Sequence, residues 1–146
     1  LRALTRLFPS RSRATALDVG TGSGVLAVAA ARLGWDRVLA CDLNPLAAST
    51  AAGNIRRNAL LDRVLPYVGR ADQLACRGVD LVMANIHFEA MQTLVGLECF
   101  AGCRAFILSG LLPSQMTVIS DTLTSSGRHI QETFSQDGTW QTCLGF

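Results

Sequence analysis

The chain has 146 residues, enough for one domain with a substantial core. Hydrophobic residues make up 49% and charged residues 16%, with 13 Gly and 4 Pro, which excludes a disordered or fibrous chain and leaves a charge coat thinner than usual. A net charge of +2 without a basic stripe gives little support for nucleic acid, whereas the thin charge coat points to a surface covered by a partner, a second domain or another copy in a homo-oligomer.

Leu1, Leu4, Leu7 and Phe8 fall on one helical face, and Pro9-Ser10 stops that helix; residues 1–13 form the lead-in to a single domain over 1–146. Ala14 to Val19 is a buried strand entering the glycine turn Gly20-Thr21-Gly22-Ser23-Gly24. An Ala-rich helix follows from Val25 to Leu33, ended by Gly34. Arg37 to Cys41 is the next strand, closing with Asp42. Asn44 caps a helix with Pro45 at its first position, running to Asn58. Arg11 and Arg13 flank the first strand, and Arg56-Arg57 lie late in this helix, where basic residues suit the dipole. Val64 to Val68 and Val79 to Ala84 are the third and fourth strands. A helix from Phe88 to Phe100 leads into a fifth strand, Ala105 to Leu108.

After Ser109-Gly110, Pro113 opens a helix to Thr124, ended by Ser125-Ser126-Gly127. Arg128 to Ser135 and Thr139 to Phe146 are strands around Gln136-Asp137-Gly138, and Asp-Gly is a strong hairpin signal. Strand-helix alternation with a terminal antiparallel hairpin predicts a three-layer α/β/α sandwich with a mostly parallel, seven-stranded sheet and an antiparallel last strand.

The five cysteines (Cys41, Cys76, Cys99, Cys103, Cys143) are scattered over apolar segments, the pattern of free thiols in a reducing cytoplasm. Cys99 and Cys103 lie four apart, but no second pair or nearby His completes a metal site. The longest apolar stretch, Val25 to Ala31, is far short of a membrane span, so no membrane partner is expected. The chain starts at Leu1 rather than Met, as a trimmed piece of a longer product would.

The first chemical signal is Asp18-Val19-Gly20-Thr21-Gly22-Ser23-Gly24. Alternating glycines let backbone amides approach a ligand closely, beyond the carboxyl end of the first strand. A dinucleotide fingerprint needs a further Gly where this chain has Val25. Asp42 lies 18 residues after Gly24, and a carboxylate there can accept both hydroxyls of a ribose or serve as a helix-entry residue. Asp72 follows the third strand, where it can cap a short helix Gln73 to Cys76.

The acidic-x-Gly-x-Gly-x-Gly run resembles the first motif of S-adenosylmethionine-dependent methyltransferases, whose sheet also has a reversed last strand. The resemblance implies S-adenosylmethionine as cofactor and S-adenosylhomocysteine as product. The site would comprise Asp18, Gly20, Thr21, Gly22, Gly24, Asp42, Leu43, Asp72 and Asn85, with Asp72 reaching the adenine amino group.

Asn85-Ile86-His87-Phe88 closes the fourth strand. Its Asn85 faces the transferred methyl group in such a fold and is the expected catalytic residue. A carboxamide oxygen can hold an amine's hydrogens and aim its lone pair, and it favours the neutral amine. That matters because a lysine with pKa near 10.4 is only about 0.04% neutral at pH 7. Two families resemble this turn. Amino methyltransferases carrying Asn-Pro-Pro-aromatic, which act on glutamine amides or nucleobase amines, match at Asn85 and Phe88 but not at Ile86 and His87. The bacterial methyltransferase of a large-subunit ribosomal protein (protein eleven) has Ala-Asn-Ile-Leu, matched by Ala84-Asn85-Ile86. Leu108-Ser109-Gly110-Leu111-Leu112 with Gln115, Leu17 to Ala27 and Trp140 are also similar to that second family.

The resemblance spans about residues 15 to 146. It implies methylation of lysine or terminal amines of a ribosomal protein, with a substrate-recognition domain and a cofactor-covering linker upstream of Leu1. A nucleobase amine methyltransferase and a non-catalytic binding module on the same fold remain alternatives. His87, which neither family's motif contains, is a candidate general base or a surface turn residue, and His129 a structural one.

Overall fold

The computed structural model describes residues 1–7, 14–73 and 78–146, apart from the side chains of Cys99 and Gln136. A 3-10 turn at Leu4–Arg6 buries Leu4. It is followed by β1 (Thr15–Val19), α1 (Val25–Arg32), β2 (Arg37–Asp42), α2 (Pro45–Arg57) and β3 (Val64–Val68). After a second 3-10 turn at Ala71–Gln73 come β4 (Leu81–Asn85), α3 (Phe88–Val95), α4 (Glu98–Ala101), β5 (Ala105–Leu111), α5 (Pro113–Ser125), β6 (Ile130–Gln136) and β7 (Trp140–Gly145).

The strands form one sheet in the order β3-β2-β1-β4-β5-β7-β6. β1 to β5 run parallel, and β7 lies antiparallel to both of its neighbours. This is the mostly parallel, seven-stranded sheet with a reversed last strand that the alternation and the Asp-Gly signal predict. Asp137 and Gly138 both have positive φ, 51° and 69°, as the tight turns favoured in hairpins require.

Burial follows from composition. Leu81, Val82, Met83 and Ala84 in β4 are all fully buried, the pattern of a parallel strand covered on both faces. On one face Ala27, Ala30 and Ala31 of α1 and Ala51 and Ile55 of α2 pack with Trp35, Val38 and Met83. Small side chains let those helices lie close to the sheet. On the other face Met91, Leu94, Phe100, Met116, Ile119 and Leu123 from α3 to α5 pack on Leu17, Val82, Phe106 and Leu108. Chain progression reverses direction between β1 and β4, so the carboxyl ends of those two strands form the topological switch point.

Four segments depart from the pattern read in the sequence. The expected helix Phe88 to Phe100 is two helices, because α3 stops at Gly96, a poor helix former, and the extended backbone of Leu97 (ψ 148°) starts α4 afresh. β5 continues to Leu111 rather than ending at Leu108, through a bulge between Ser109 and Leu111 that Gly110 permits with φ 81°. β4 starts at Leu81 rather than Val79, after a bend at Asp80, whose Oδ2 accepts from the Thr15 N–H at 2.9 Å and the Thr15 hydroxyl at 3.1 Å. The N-terminal helix is a single 3-10 turn, and its stop at Pro9-Ser10, with Phe8, Arg11 and Arg13, lies outside the described residues, as do Cys76 and the rest of the helix expected after Gln73. Cys41, Cys103 and Cys143 are buried.

Candidate functional site

At the switch point the glycine turn folds over a buried carboxylate. Asp18 Oδ2 accepts from the Thr21 hydroxyl at 2.6 Å and from the Ala27 N–H at 3.1 Å, tying the turn to the first turn of α1. Asp18 and Thr21 are almost wholly buried beneath the turn. Burial raises the Asp18 carboxyl to about 6, against the lowering effect of those two hydrogen bonds. Its Oδ1 has no hydrogen-bond partner among the described residues.

Asp42 stands at the end of β2 with both oxygens oriented by backbone. Oδ2 accepts from the Gly22 N–H and Oδ1 from the Asn44 N–H, each at 2.9 Å. Asn44 in turn caps α2 by accepting from the Leu46 N–H at 3.0 Å. A carboxylate offers about four acceptor positions, so about two remain for a ligand.

Asp42 opens onto a cavity of about 580 Å³ lined on this side by Val19, Gly20, Cys41 and Leu43, and on the far side by Ile86, His87, Ala90 and Leu94. Arg70 and Asp72 form another part of its wall. Their pairing is bidentate, Arg70 Nε donating at 2.9 Å to Oδ1 and Arg70 Nη2 at 2.9 Å to Oδ2, and it holds the Asp72 carboxyl below its ordinary range.

A second cavity, of about 700 Å³, lies behind the exit of β4. Asn85, Ile86, His87, Ser109, Gly110, Asp137, Thr139 and Trp140 line it. Asn85 pairs with Ser109 across the β4–β5 ladder, and its carboxamide has no hydrogen-bond partner among the described residues. The Ser109 and Thr142 hydroxyls are 2.7 Å apart. Gln115 Oε1 accepts from the Leu112 N–H at 2.9 Å and so starts α5 just beyond the bulge. Phe88 packs against the core between sheet and helices.

Gly20 joins the two halves. It has φ 66°, and a Cβ there would collide with the side chain of Ile86. The turn after β1 therefore touches the turn after β4, and Ile86 and His87 line both cavities.

The structure thus brings Gly20, Asp42, Leu43 and Asp72 to the first cavity and Asn85 to the second. Asp18 and Thr21 lie underneath, and Gly22 and Gly24 shape the turn. Sequence reasoning passed over Arg70, and it took Gly110 as part of a motif and Asp137 as a turn residue without placing either at the site. Nothing local distinguishes Arg70, and the Asp-Gly turn signal is a sufficient account of Asp137 until the hairpin is seen beside Asn85.

Comparison with known proteins agrees with this geometry. The family model "Ribosomal protein L11 methyltransferase (PrmA)" matches residues 1–145. The chain belongs to this family.

A ribosomal protein L11 methyltransferase of Pelotomaculum thermopropionicum is 37% identical over 132 residues, 89% of this chain and 42% of that protein. The chain therefore spans about two fifths of that relative's length. The crystal structure of a ribosomal protein L11 methylase from Lactobacillus delbrueckii subsp. bulgaricus superposes with a TM-score of 0.79 at 26% identity, covering 99% of this chain and 74% of that one. TrmK of M. capricolum, solved with its cofactor product S-adenosylhomocysteine, shares the fold alone, with a TM-score of 0.78 at 12% identity over 99% of this chain and 65% of its own.

The fold is that of class I S-adenosylmethionine-dependent methyltransferases. The residues present fit that nucleoside. The first cavity is within the usual size range for small-molecule sites, roughly 300–1,000 Å³. The turn at Gly20 leaves backbone rather than side chain at its wall, and Asp42 keeps about two acceptor positions for the two ribose hydroxyls.

Proposed function

We propose that this chain performs methyl transfer from S-adenosylmethionine to amines of ribosomal protein L11, its lysine side chains or its N-terminus, in the cytoplasm. The observation that carries this reading is the meeting of two cavities at Ile86 and His87, one walled by the Asp42 carboxylate and the other by the Asn85 carboxamide.

Asp42 would hold the ribose through the lone pairs that Gly22 and Asn44 leave unused. Leu43 and Ala71 offer apolar surface to the base, and Asp72 is the candidate acceptor for its amino group. Asp18 and Thr21 act beneath the turn, fixing the backbone that faces the ligand. When bound, S-adenosylmethionine supplies a methyl group activated by its sulfonium.

The remaining work is orientation. Asn85 Oδ1 can accept an N–H of the acceptor and turn the nitrogen lone pair toward the junction, which favours the neutral amine and lowers the entropy barrier to in-line attack. Gly110 supports Asn85 from behind, and Trp140, half exposed on β7, gives the acceptor's hydrocarbon stem an apolar wall. Phe88 is half-buried against the core.

The test is incubation with methyl-labelled S-adenosylmethionine and ribosomal protein L11, read by mass spectrometry. The chain contains no lysine, so labelled lysine can come only from the acceptor. The expected result is label on L11 amines. Asn85→Ala should lower kcat by roughly 100-fold while leaving S-adenosylhomocysteine affinity within about threefold, since one well-placed polar group contributes about 3 kcal/mol to such a step. Undiminished transfer by Asn85→Ala would overturn the role of Asn85. Binding of S-adenosylhomocysteine with no transfer to L11 would favour a binding module.

A further inference from the structure

We propose that His87 is the proton acceptor for the incoming amine, matched to the α-amine of a chain terminus rather than to a lysine. The inference rests on the methyl-transfer reading above and concerns the residue that follows Ile86 in the turn after β4.

Among the described residues Ile86 and His87 line both cavities, and Ile86 has no atom that can take a proton. His87 is exposed, stands at the N-cap of α3 without capping it, and its imidazole has no hydrogen-bond partner among the described residues. Its stem is nevertheless held in place. The His87 carbonyl accepts from the Met91 N–H at 3.0 Å, and the preceding Ile86 is pressed against Gly20. His87 therefore lines the junction on an anchored backbone, with its ring nitrogens uncommitted among the described residues.

The charged groups around it come from several elements. Asp137 of the β6–β7 turn faces the second cavity. Asp42, Arg70 and Asp72 face the first, the last two paired with each other, and Glu89 lies on α3 itself. Positive charge formed at the junction is thus met by Asp42 on one side and Asp137 on the other.

An amine acceptor arrives at neutral pH as its ammonium and has no lone pair. In the proposed step one N–H bond breaks, the proton moves to the neutral imidazole, and the bonding pair remains on the amine nitrogen as its lone pair. The exposed imidazolium then passes the proton to water. A terminal α-ammonium titrates at about 7.7–8.0 and a lysine ammonium at about 10.4. Giving up the proton to the same acceptor is therefore easier by roughly 300-fold for a terminal amine than for a lysine. A histidine at this position suits the first acceptor and contributes little for the second.

The test uses the chain saturated with S-adenosylhomocysteine, whose binding is confirmed by calorimetry on the same sample. His87 and His129 are its only two histidines, so imidazole proton resonances assign readily and His129, on the far side of the hairpin, is an internal control. Trialanine amide, which has a free α-amine, should shift the His87 resonance and leave that of His129 unchanged; acetyl-trialanine amide should shift neither. With S-adenosylmethionine and trialanine amide, His87→Leu should lower kcat/KM at pH 7 at least tenfold and move the acid limb of the pH profile upward. His87→Leu should have a smaller effect on methylation of acetyl-lysine amide.

An unresponsive His87, an equal response to the acetylated peptide, or a pH profile unchanged in His87→Leu would overturn the proposal. Equal losses on the two amines would overturn the match to terminal amines. Failure of S-adenosylhomocysteine to bind would instead strike at the methyl-transfer reading itself.

Discussion

Gly110 lies directly against the Asn85 carboxamide: a Cβ at Gly110 would come within 2.5 Å of Asn85 Oδ1. The bulge in β5 therefore sets where Asn85 Oδ1 can sit. Gly110 also has φ 81°, a backbone conformation that a side chain opposes. Gly110→Ala should cost about 1 kcal/mol or more of stability, seen in urea unfolding, and should lower kcat at least tenfold by displacing Asn85. S-adenosylhomocysteine affinity should hold, because the first cavity is untouched. Full activity in this variant would show that Asn85 needs no support from behind.

The interruption between α3 and α4 predicts a stabilising change. Gly96 has φ −86° and ψ −6°, which an alanine adopts readily, and a Cβ there would meet the Thr93 carbonyl oxygen at an ordinary 3.5 Å. Gly96→Ala should raise stability by about 0.4–1 kcal/mol through the unfolded chain's lost freedom, measured as a higher urea midpoint at unchanged slope. A lower midpoint would mean that the break itself is needed.

Asp18 predicts a pH dependence. Its folded value is raised from 3.8 to about 6, chiefly by burial, so between about pH 4 and pH 6 the folded chain holds more protons than the unfolded chain. This contribution to stability is fully present below about pH 4, is lost as pH rises to about 6, and is flat beyond. The shift of about two units corresponds to at most about 3 kcal/mol. Urea unfolding of the wild type and Asp18→Asn at pH 4.5 and pH 7 isolates it. The variant should gain on the wild type by about 1–3 kcal/mol between the two conditions, and parallel behaviour would contradict the burial account.

Arg128 predicts a large loss from a residue remote from both cavities. Its guanidinium lies 5.5 Å from the Phe100 ring centroid and 5.4 Å from that of Phe106, and Nη1 donates to the Cys103 carbonyl at 2.7 Å. Arg128→Ala should cost about 2–4 kcal/mol by removing the cation–π contacts and the hydrogen bond to that carbonyl. Thermal unfolding that falls by only a degree or two would show the clamp to be weak.

Local chemistry made much of this molecule legible in advance. The glycine turn, Asn44-Pro45, Asp42 at a strand end and Asp137-Gly138 each carry backbone requirements that few other arrangements satisfy, and the reversed last strand follows once the hairpin is recognised. What stayed hidden depends on where side chains point and on which segments meet. The inward direction of Asp18 is set by Thr21 and Ala27 over the first turn of α1, and Asp72 is paired with Arg70 two residues before it. The bulge at Gly110 acquires meaning only because β4 ends beside it. The helix break at Gly96 was weak in sequence because the apolar period continues through Leu97 and Phe100 into the same core.

The most direct measurement is calorimetric titration of the chain with S-adenosylhomocysteine, with NAD in parallel, for the wild type and Asp42→Ala. The account predicts one site for S-adenosylhomocysteine and none for NAD. It also predicts a loss of roughly 30-fold or more in Asp42→Ala, about 2 kcal/mol from the ribose contacts and the freed Gly22 and Asn44 amides. Binding of NAD without S-adenosylhomocysteine, or equal affinity in Asp42→Ala, would contradict it.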